Sequence, residues 1–96
     1  MISFTGPLRL WTGADGSSHF MSISDDLSGE IHAHALLFRR GFGSVKVEAN
    51  VQGFCWQTSV FPSKRSGGYF LPIKRDVLRK TGIAEGDDVT VMLELL

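Results

Sequence analysis

The chain reads as a mainly β domain: a small pseudo-twofold barrel made of two related halves, with two short helices. Three observations predict it. Apolar and polar residues alternate with the period of a strand in several short segments, as in Ser44-Val45-Lys46-Val47-Glu48-Ala49 and Asp88-Val89-Thr90-Val91-Met92-Leu93. Turn residues are frequent, with 11 glycines against 3 prolines in 96 residues, which suits short elements better than long helices. The order strand, loop, strand, helix, strand also occurs twice.

The second copy is the clearer of the two. It opens with Phe54-Cys55-Trp56-Gln57-Thr58-Ser59-Val60-Phe61, where Phe54, Trp56, Thr58 and Val60 share one face and Cys55, Gln57, Ser59 and Phe61 the other. Pro62-Ser63-Lys64-Arg65-Ser66-Gly67-Gly68 reads as a loop, and 69–73 as the return strand. Pro72 has no amide hydrogen, so a ladder should end or reach an edge there. A helix is expected from about 75 to 81, with Val77 and Leu78 apolar and Gly82 as its C-terminal cap. Gly86-Asp87 marks a turn before a last strand in which Val89, Val91 and Leu93 alternate with polar neighbours.

The first copy follows the same order. Leu8-Arg9-Leu10-Trp11 is expected as its opening strand and 12–18 as its loop. His19-Phe20-Met21-Ser22-Ile23 then lies over Tyr69-Phe70-Leu71-Pro72-Ile73 residue for residue, and Asp26-Leu27 over Asp76-Val77. Ser22 or Ser24 can cap a helix from 25 to about 33, because a hydroxyl accepts from the first free amides. A loop over 39–43 precedes the strand 44–51, and Gln52-Gly53 joins the copies as a tight hairpin. Neither half, with one buried face, is stable alone; packed together they close a barrel and remove most strand edges. Residues 1–96 are thus expected to be a single domain with internal repeats over about 8–51 and 54–95.

A chain of this length buries about two-thirds of its unfolded surface on folding, enough for one core without staples. The lone Cys55 excludes an internal disulfide and a cysteine metal cluster. No apolar run approaches the roughly 20 residues of a membrane helix, and Met1-Ile2-Ser3-Phe4-Thr5 lacks the basic start of a signal peptide. A cytoplasmic protein without membrane contact is the expectation. Ten bases cancel ten acids, but unevenly: 64–80 holds six bases and one acid, for a charge of +5, so the remainder carries −5. A domain devoted to nucleic acid is usually basic overall.

The whole chain resembles the bacterial family known as domain of unknown function 1905. The resemblance is carried by Gly43-Ser44-Val45-Lys46-Val47, Trp56-Gln57-Thr58-Ser59-Val60-Phe61-Pro62, Tyr69-Phe70-Leu71-Pro72-Ile73-Lys74, and Gly82-Ile83 followed by Gly86-Asp87-Asp88-Val89. It implies a double-split β-barrel, the architecture shared with AbrB-like regulators and MazE-type antitoxins. Leu71-Pro72-Ile73 and Gly82-Ile83-Ala84-Glu85 also look like the AbrB swapped hairpin, in which two chains supply the two halves. The resemblance implies no activity.

Four kinds of chemistry have candidates. The first is DNA binding of the AbrB type, for which Lys64, Arg65, Lys74, Arg75 and Arg79 would serve one hairpin. The other copy argues against it: its hairpin holds Asp15, Asp25 falls where Arg75 does, and Gly68 occupies the place of the AbrB hairpin arginine. The second is a small anion held by the amides of Ser66-Gly67-Gly68 beside Lys64 and Arg65. Paired glycines more often only supply a positive φ. The third is a metal at His32 and His34, which a strand would bring together but a helix would point about 200° apart. Glu30 is the nearest further ligand, and no metal or cofactor is expected. The fourth is catalysis by Cys55, which lies between Phe54 and Trp56 where a buried thiol is common and no base has a recognisable spacing. Asp26 and Asp76 recur near helix starts, where the macrodipole favours carboxylates.

Phe20, Phe70, Trp56 and Trp11 are expected in the core; Phe38, Phe42 and Phe61 lie near loop ends and would form a partner patch if exposed together. The expected function is non-catalytic binding of a protein or a small anionic ligand by a monomer or weak homodimer. Its contact residues would be Lys64, Arg65, Gly67, Gly68, Lys74, Arg75 and Arg79. The alternatives are an AbrB-like DNA-binding or antitoxin-type regulator and, less favoured, an enzyme.

Overall fold

The computed structural model describes residues 2–13, 16–23, 25–38, 44–63 and 68–96, and for 25, 26, 37 and 38 the backbone alone. The described residues form β1 (Ile2–Pro7), β2 (Arg9–Gly13), β3 (Gly16–Ile23), α1 (Asp25–Phe38), β4 (Val45–Val51), β5 (Phe54–Pro62), β6 (Tyr69–Ile73), α2 (Arg75–Thr81) and β7 (Asp88–Leu95). All strand pairs are antiparallel, in the order β1-β7-β4-β5-β6-β3-β2. The two ends of that order, β1 and β2, are consecutive in the chain with only Leu8 between them. The sheet therefore curls until its ends meet at Leu8, whose side chain is buried. The Leu8 amide donates to the Asp87 carbonyl and the Leu8 carbonyl accepts from the Gly86 amide, both at 2.9 Å.

The ladders carry the internal symmetry. β3 pairs with β6 so that His19 faces Ile73, Met21 faces Leu71 and Ile23 faces Tyr69. Exchanging the copies leaves that pattern unchanged, with Met21–Leu71 at its centre. β4 pairs with β7 in the same way about Ala49–Leu93. The remaining ladders also correspond, since β1 meets β7 as β5 meets β4, and β2 meets β3 as β5 meets β6. Hence β1 and β2 together are the counterpart of the single strand β5.

That correspondence corrects the expected opening of the first copy. Its strand begins at Ile2, not Leu8, and Ile2 and Phe4 are buried while Ser3 and Thr5 are exposed. Through their partners, Phe4 matches Thr58 and Arg9 matches Phe61. Five steps separate Phe4 from Arg9 and three separate Thr58 from Phe61, so the first copy carries two additional residues. They interrupt the strand around Pro7, where the backbone lacks a donor. The expected loop over 12–18 is instead mostly hairpin: Thr12 faces Ser17 and Gly13 faces Gly16, while Ala14 and Asp15 lie outside the described residues. The loop over 39–43 and the helix-capping Ser24 also lie outside them.

The core forms where the inward positions of β1, β3, β4, β5, β6 and β7 meet the helices. Met21, Val47, Ala49, Val51, Val60, Leu71, Val91 and Leu93 have no exposed surface. Helix α1 runs to Phe38, beyond the expected end near 33, because Ala33-His34-Ala35-Leu36-Leu37 contains no breaker and several strong helix formers. It buries Ile31, flanked by Leu27 and Ala35 at four-residue spacing. Ser28 fastens this helix: its buried hydroxyl donates to the Ile23 carbonyl (3.3 Å) and accepts from the Tyr69 amide (3.1 Å). Helix α2 buries Val77 and ends as expected at Gly82, which at φ 74° donates to the Leu78 carbonyl at 2.8 Å. Gln52 and Gly53, both at positive φ, form the hairpin between copies, with the Asn50 side-chain carbonyl accepting from the Gly53 amide. Pro72 faces Phe20 in the β3–β6 ladder, beyond the point where β5–β6 pairing stops at Phe61–Phe70. No donor is required of Pro72 on the β5 side.

Candidate binding surface

The basic segment is divided by the fold. Lys64, Arg65 and Gly67 lie outside the described residues. Gly68 is buried, and its carbonyl accepts from the Ser63 amide at 2.7 Å, closing the loop between β5 and β6. Lys74, Arg75, Arg79 and Lys80 are exposed. Arg79 is neutralised locally by an ion pair with Asp76, one turn away on α2. Lys74 follows β6 directly, at extended backbone angles (φ −77°, ψ 157°), and its carbonyl accepts from the first amides of α2.

The histidines do not converge. His32 and His34 fall within α1, on different faces of a helix turning about 100° per residue. His34 Nε2 lies 3.0 Å from the Leu96 carbonyl, while His32 is exposed. Among the described residues no three His, Cys, Asp or Glu side chains are placed to share a metal. Cys55 is exposed, contrary to the expected buried thiol, because odd positions of β5 face outward. Its sulfur accepts from the Asn50 side-chain amide at 3.0 Å, a neutral partner that does not activate a thiol.

The less expected feature is the outer face of β5, β6, β3 and β2. Residues directly opposite in an antiparallel ladder share a face. Since Met21, Leu71 and Val60 point inward, Phe20, Phe70 and Phe61 point outward. The Phe61 and Phe70 rings stack with centroids 5.7 Å apart, and Phe70 meets Phe20 edge-on at 6.1 Å. Pro72 and Arg9 flank Phe20 on its two sides. Trp11, one row further along β2, lies over the Gly13 backbone, where a Cβ would strike the indole. It is 50% exposed, so the expectation of a core tryptophan is overturned; Phe61 is 38% exposed. Each of the four strands thus places one aromatic on this face, in a diagonal track from Phe61 through Phe70 and Phe20 to Trp11. Trp56, by contrast, points inward, is half-buried, and stacks on Phe54 at 5.9 Å.

The other outer face, over β1, β7, β4 and the first part of β5, is polar. Thr5 and Thr90 share a 2.8 Å hydroxyl bond, Glu48 lies between Glu94 and Gln57, and Asn50 lies beside Cys55. Met92 is its exposed apolar exception. The aromatic face carries Arg9, with Lys74 at its margin, and no carboxylate among the described residues of its strands. Parity explains why sequence reasoning missed it. Phe20 and Phe70 do hold equivalent positions, but it is the neighbouring Met21 and Leu71 that enter the core.

The chain belongs to the family described as a domain of unknown function (DUF1905), whose model matches residues 4–93. No curated protein matches the chain. No described helix is long and apolar enough to cross a membrane.

Proposed function

We propose that this domain is a non-catalytic binding module whose contact surface is the outer face of β2, β3, β6 and β5. One observation carries the reading: the Phe70 ring meets both Phe61 and Phe20 on the outside of the barrel, with a half-exposed Trp11 beyond them. Isolated apolar side chains on a surface need no explanation, but contiguous ones mark contact sites. The other outer face, over β1, β7, β4 and the first part of β5, is polar, so aromatics are not a general feature of the outside of this sheet. Arg9 and Lys74 supply positive charge at the margins of the track, and among the described residues neither is held in an ion pair. An anionic partner bearing flat or apolar groups fits both features.

The expected small-anion site around 64–68 is a narrower form of the same reading; Lys64, Arg65 and Gly67 lie outside the described residues. The test is a titration of the ¹⁵N-labelled domain with single-stranded oligonucleotides, acidic peptides containing aromatic residues, and inorganic phosphate. A probe that shifts the amides of β2, β3 and β6, and loses affinity for a folded Phe61→Ser, Trp11→Ser variant, supports the reading. Shifts that leave these strands untouched for every probe contradict it.

A further inference from the structure

Resting on that reading of the face, we infer that its ligand is a single-stranded nucleic acid, lying across the four strands with its bases on the aromatic track and its phosphates against Arg9 and Lys74. The argument begins with register. Phe61, Phe70 and Ser22 form one row across the sheet, and Pro72, Phe20 and Arg9 the next. The third row holds Ser18 and Trp11, with Lys74 on the extension of β6 beyond Ile73. Successive rows are two residues apart, about 7 Å. Aromatic groups therefore recur from row to row while their strand changes from β5 to β2, and a cation occupies one end of each of the last two rows.

This alternation of ring and cation is the chemistry of a stacking surface within an electrostatic groove. A base stacks on a phenyl or indole ring whatever its identity, and a guanidinium or ammonium beside the ring meets the phosphate that follows it. The face offers little else. Among the described residues its uncharged polar side chains are the hydroxyls of Ser18, Ser22 and Ser59, with the Gln57 amide further along β5 and no carboxylate. A sugar ligand would stack equally well, but a neutral one leaves Arg9 and Lys74 without a counter-charge. A strand-adding peptide would pair with the backbone of an edge strand and leave the aromatic track on the sheet face uncovered. A duplex presents phosphates but keeps its base faces stacked internally, so the rings would have nothing to receive.

The experiment uses the intact 96-residue chain and a fluorescein-labelled oligothymidylate of about 12 nucleotides, within the site sizes of comparable sheet platforms. Fluorescence anisotropy should report saturable binding. With two cations engaged, affinity should fall by about sevenfold between 50 and 200 mM salt, following a slope of roughly −0.7 per phosphate. Phe61→Ser should weaken binding by about tenfold. Arg9→Glu, on an exposed site with no role in the core, should weaken it and flatten the salt slope, and it guards against a folding defect in the ring variant. The uridylate of the same length distinguishes RNA from DNA through its 2′-hydroxyls.

Three results would overturn the inference. One is an oligonucleotide that fails to bind while an acidic aromatic peptide binds the same face; the binding-module reading would then survive. The second is a duplex of equal length binding as tightly as the single strand. The third is oligonucleotide binding that is indifferent to both Phe61→Ser and Arg9→Glu.

Discussion

Met21 lies directly opposite Leu71 in the β3–β6 ladder, and neither side chain has any exposed surface. The two residues hold the same position in the two copies, so the centre of the ladder is also the centre of the internal symmetry. A barrel of this kind places equivalent side chains in equivalent surroundings, with equivalent energetic weight. Met21→Ala and Leu71→Ala should each destabilise the domain by about 2–5 kcal/mol and agree within about 1.5 kcal/mol. Urea denaturation of both variants checks this. A near-neutral Met21→Ala beside a severe Leu71→Ala would show that the first copy contributes little to the core.

Gly82 ends α2 at φ 74°, with open space where a Cβ would stand. Gly82→Ala should therefore cost about 1–2 kcal/mol from backbone strain alone. Gln52 adopts φ 53° without the side chain such a position favours, so Gln52→Asn should stabilise the hairpin by a few tenths of a kcal/mol, measured by thermal unfolding. Equal effects at the two positions would contradict the turn geometry.

Glu48 and Glu94 face one another across β4 and β7 on the polar outer face. Like charges directly opposite in a ladder are unfavourable, and an opposite pair contributes roughly 0.2–1 kcal/mol. Glu94→Lys should raise stability by about 0.5 kcal/mol at low salt and less at high salt, where surface charges are screened. A stability gain independent of salt would point away from electrostatics.

Burial pushes the Tyr69 hydroxyl above its ordinary pKa of 10.0. The folded state therefore holds its proton to higher pH than the unfolded chain does. This contribution is constant below about pH 10 and disfavours folding progressively as pH rises above it. Stability measured from pH 8 to 11 should decline more steeply in the native chain than in Tyr69→Phe above pH 10. Parallel curves would mean that Tyr69 is not the group responsible.

Much of the second copy was legible because its alternation, its Gly82 cap and its Gly86-Asp87 turn each occur where local chemistry demands them. The opening of the first copy is hidden from its sequence. Pro7 and two additional residues split the strand, so Leu8-Arg9-Leu10-Trp11 is out of phase with Phe54 to Phe61. Gly13, Gly16, Ser17 and Ser18 form strand without any apolar alternation to announce it, since pairing alone holds them. The binding face was obscured by a different cause. An aromatic residue reads as core from sequence, and only the ladder register shows that Met21, Leu71 and Val60 take the inside while Phe20, Phe70 and Phe61 take the outside. For Lys64 and Arg65, charge was visible, but charge alone does not say which surface it adjoins.

The account turns on where a ligand is met: on the aromatic strands rather than on the basic helix. The most direct measurement compares oligothymidylate affinity for two double variants, Phe61→Ser with Trp11→Ser, and Arg75→Ala with Lys80→Ala. The strand variant should lose at least about 30-fold, from two stacking rings at roughly 1–3 kcal/mol each. The helix variant should stay within about threefold of the native chain at 150 mM salt, where exposed charges act only over about 8 Å. A large loss in the helix variant with an unaffected strand variant would contradict the account.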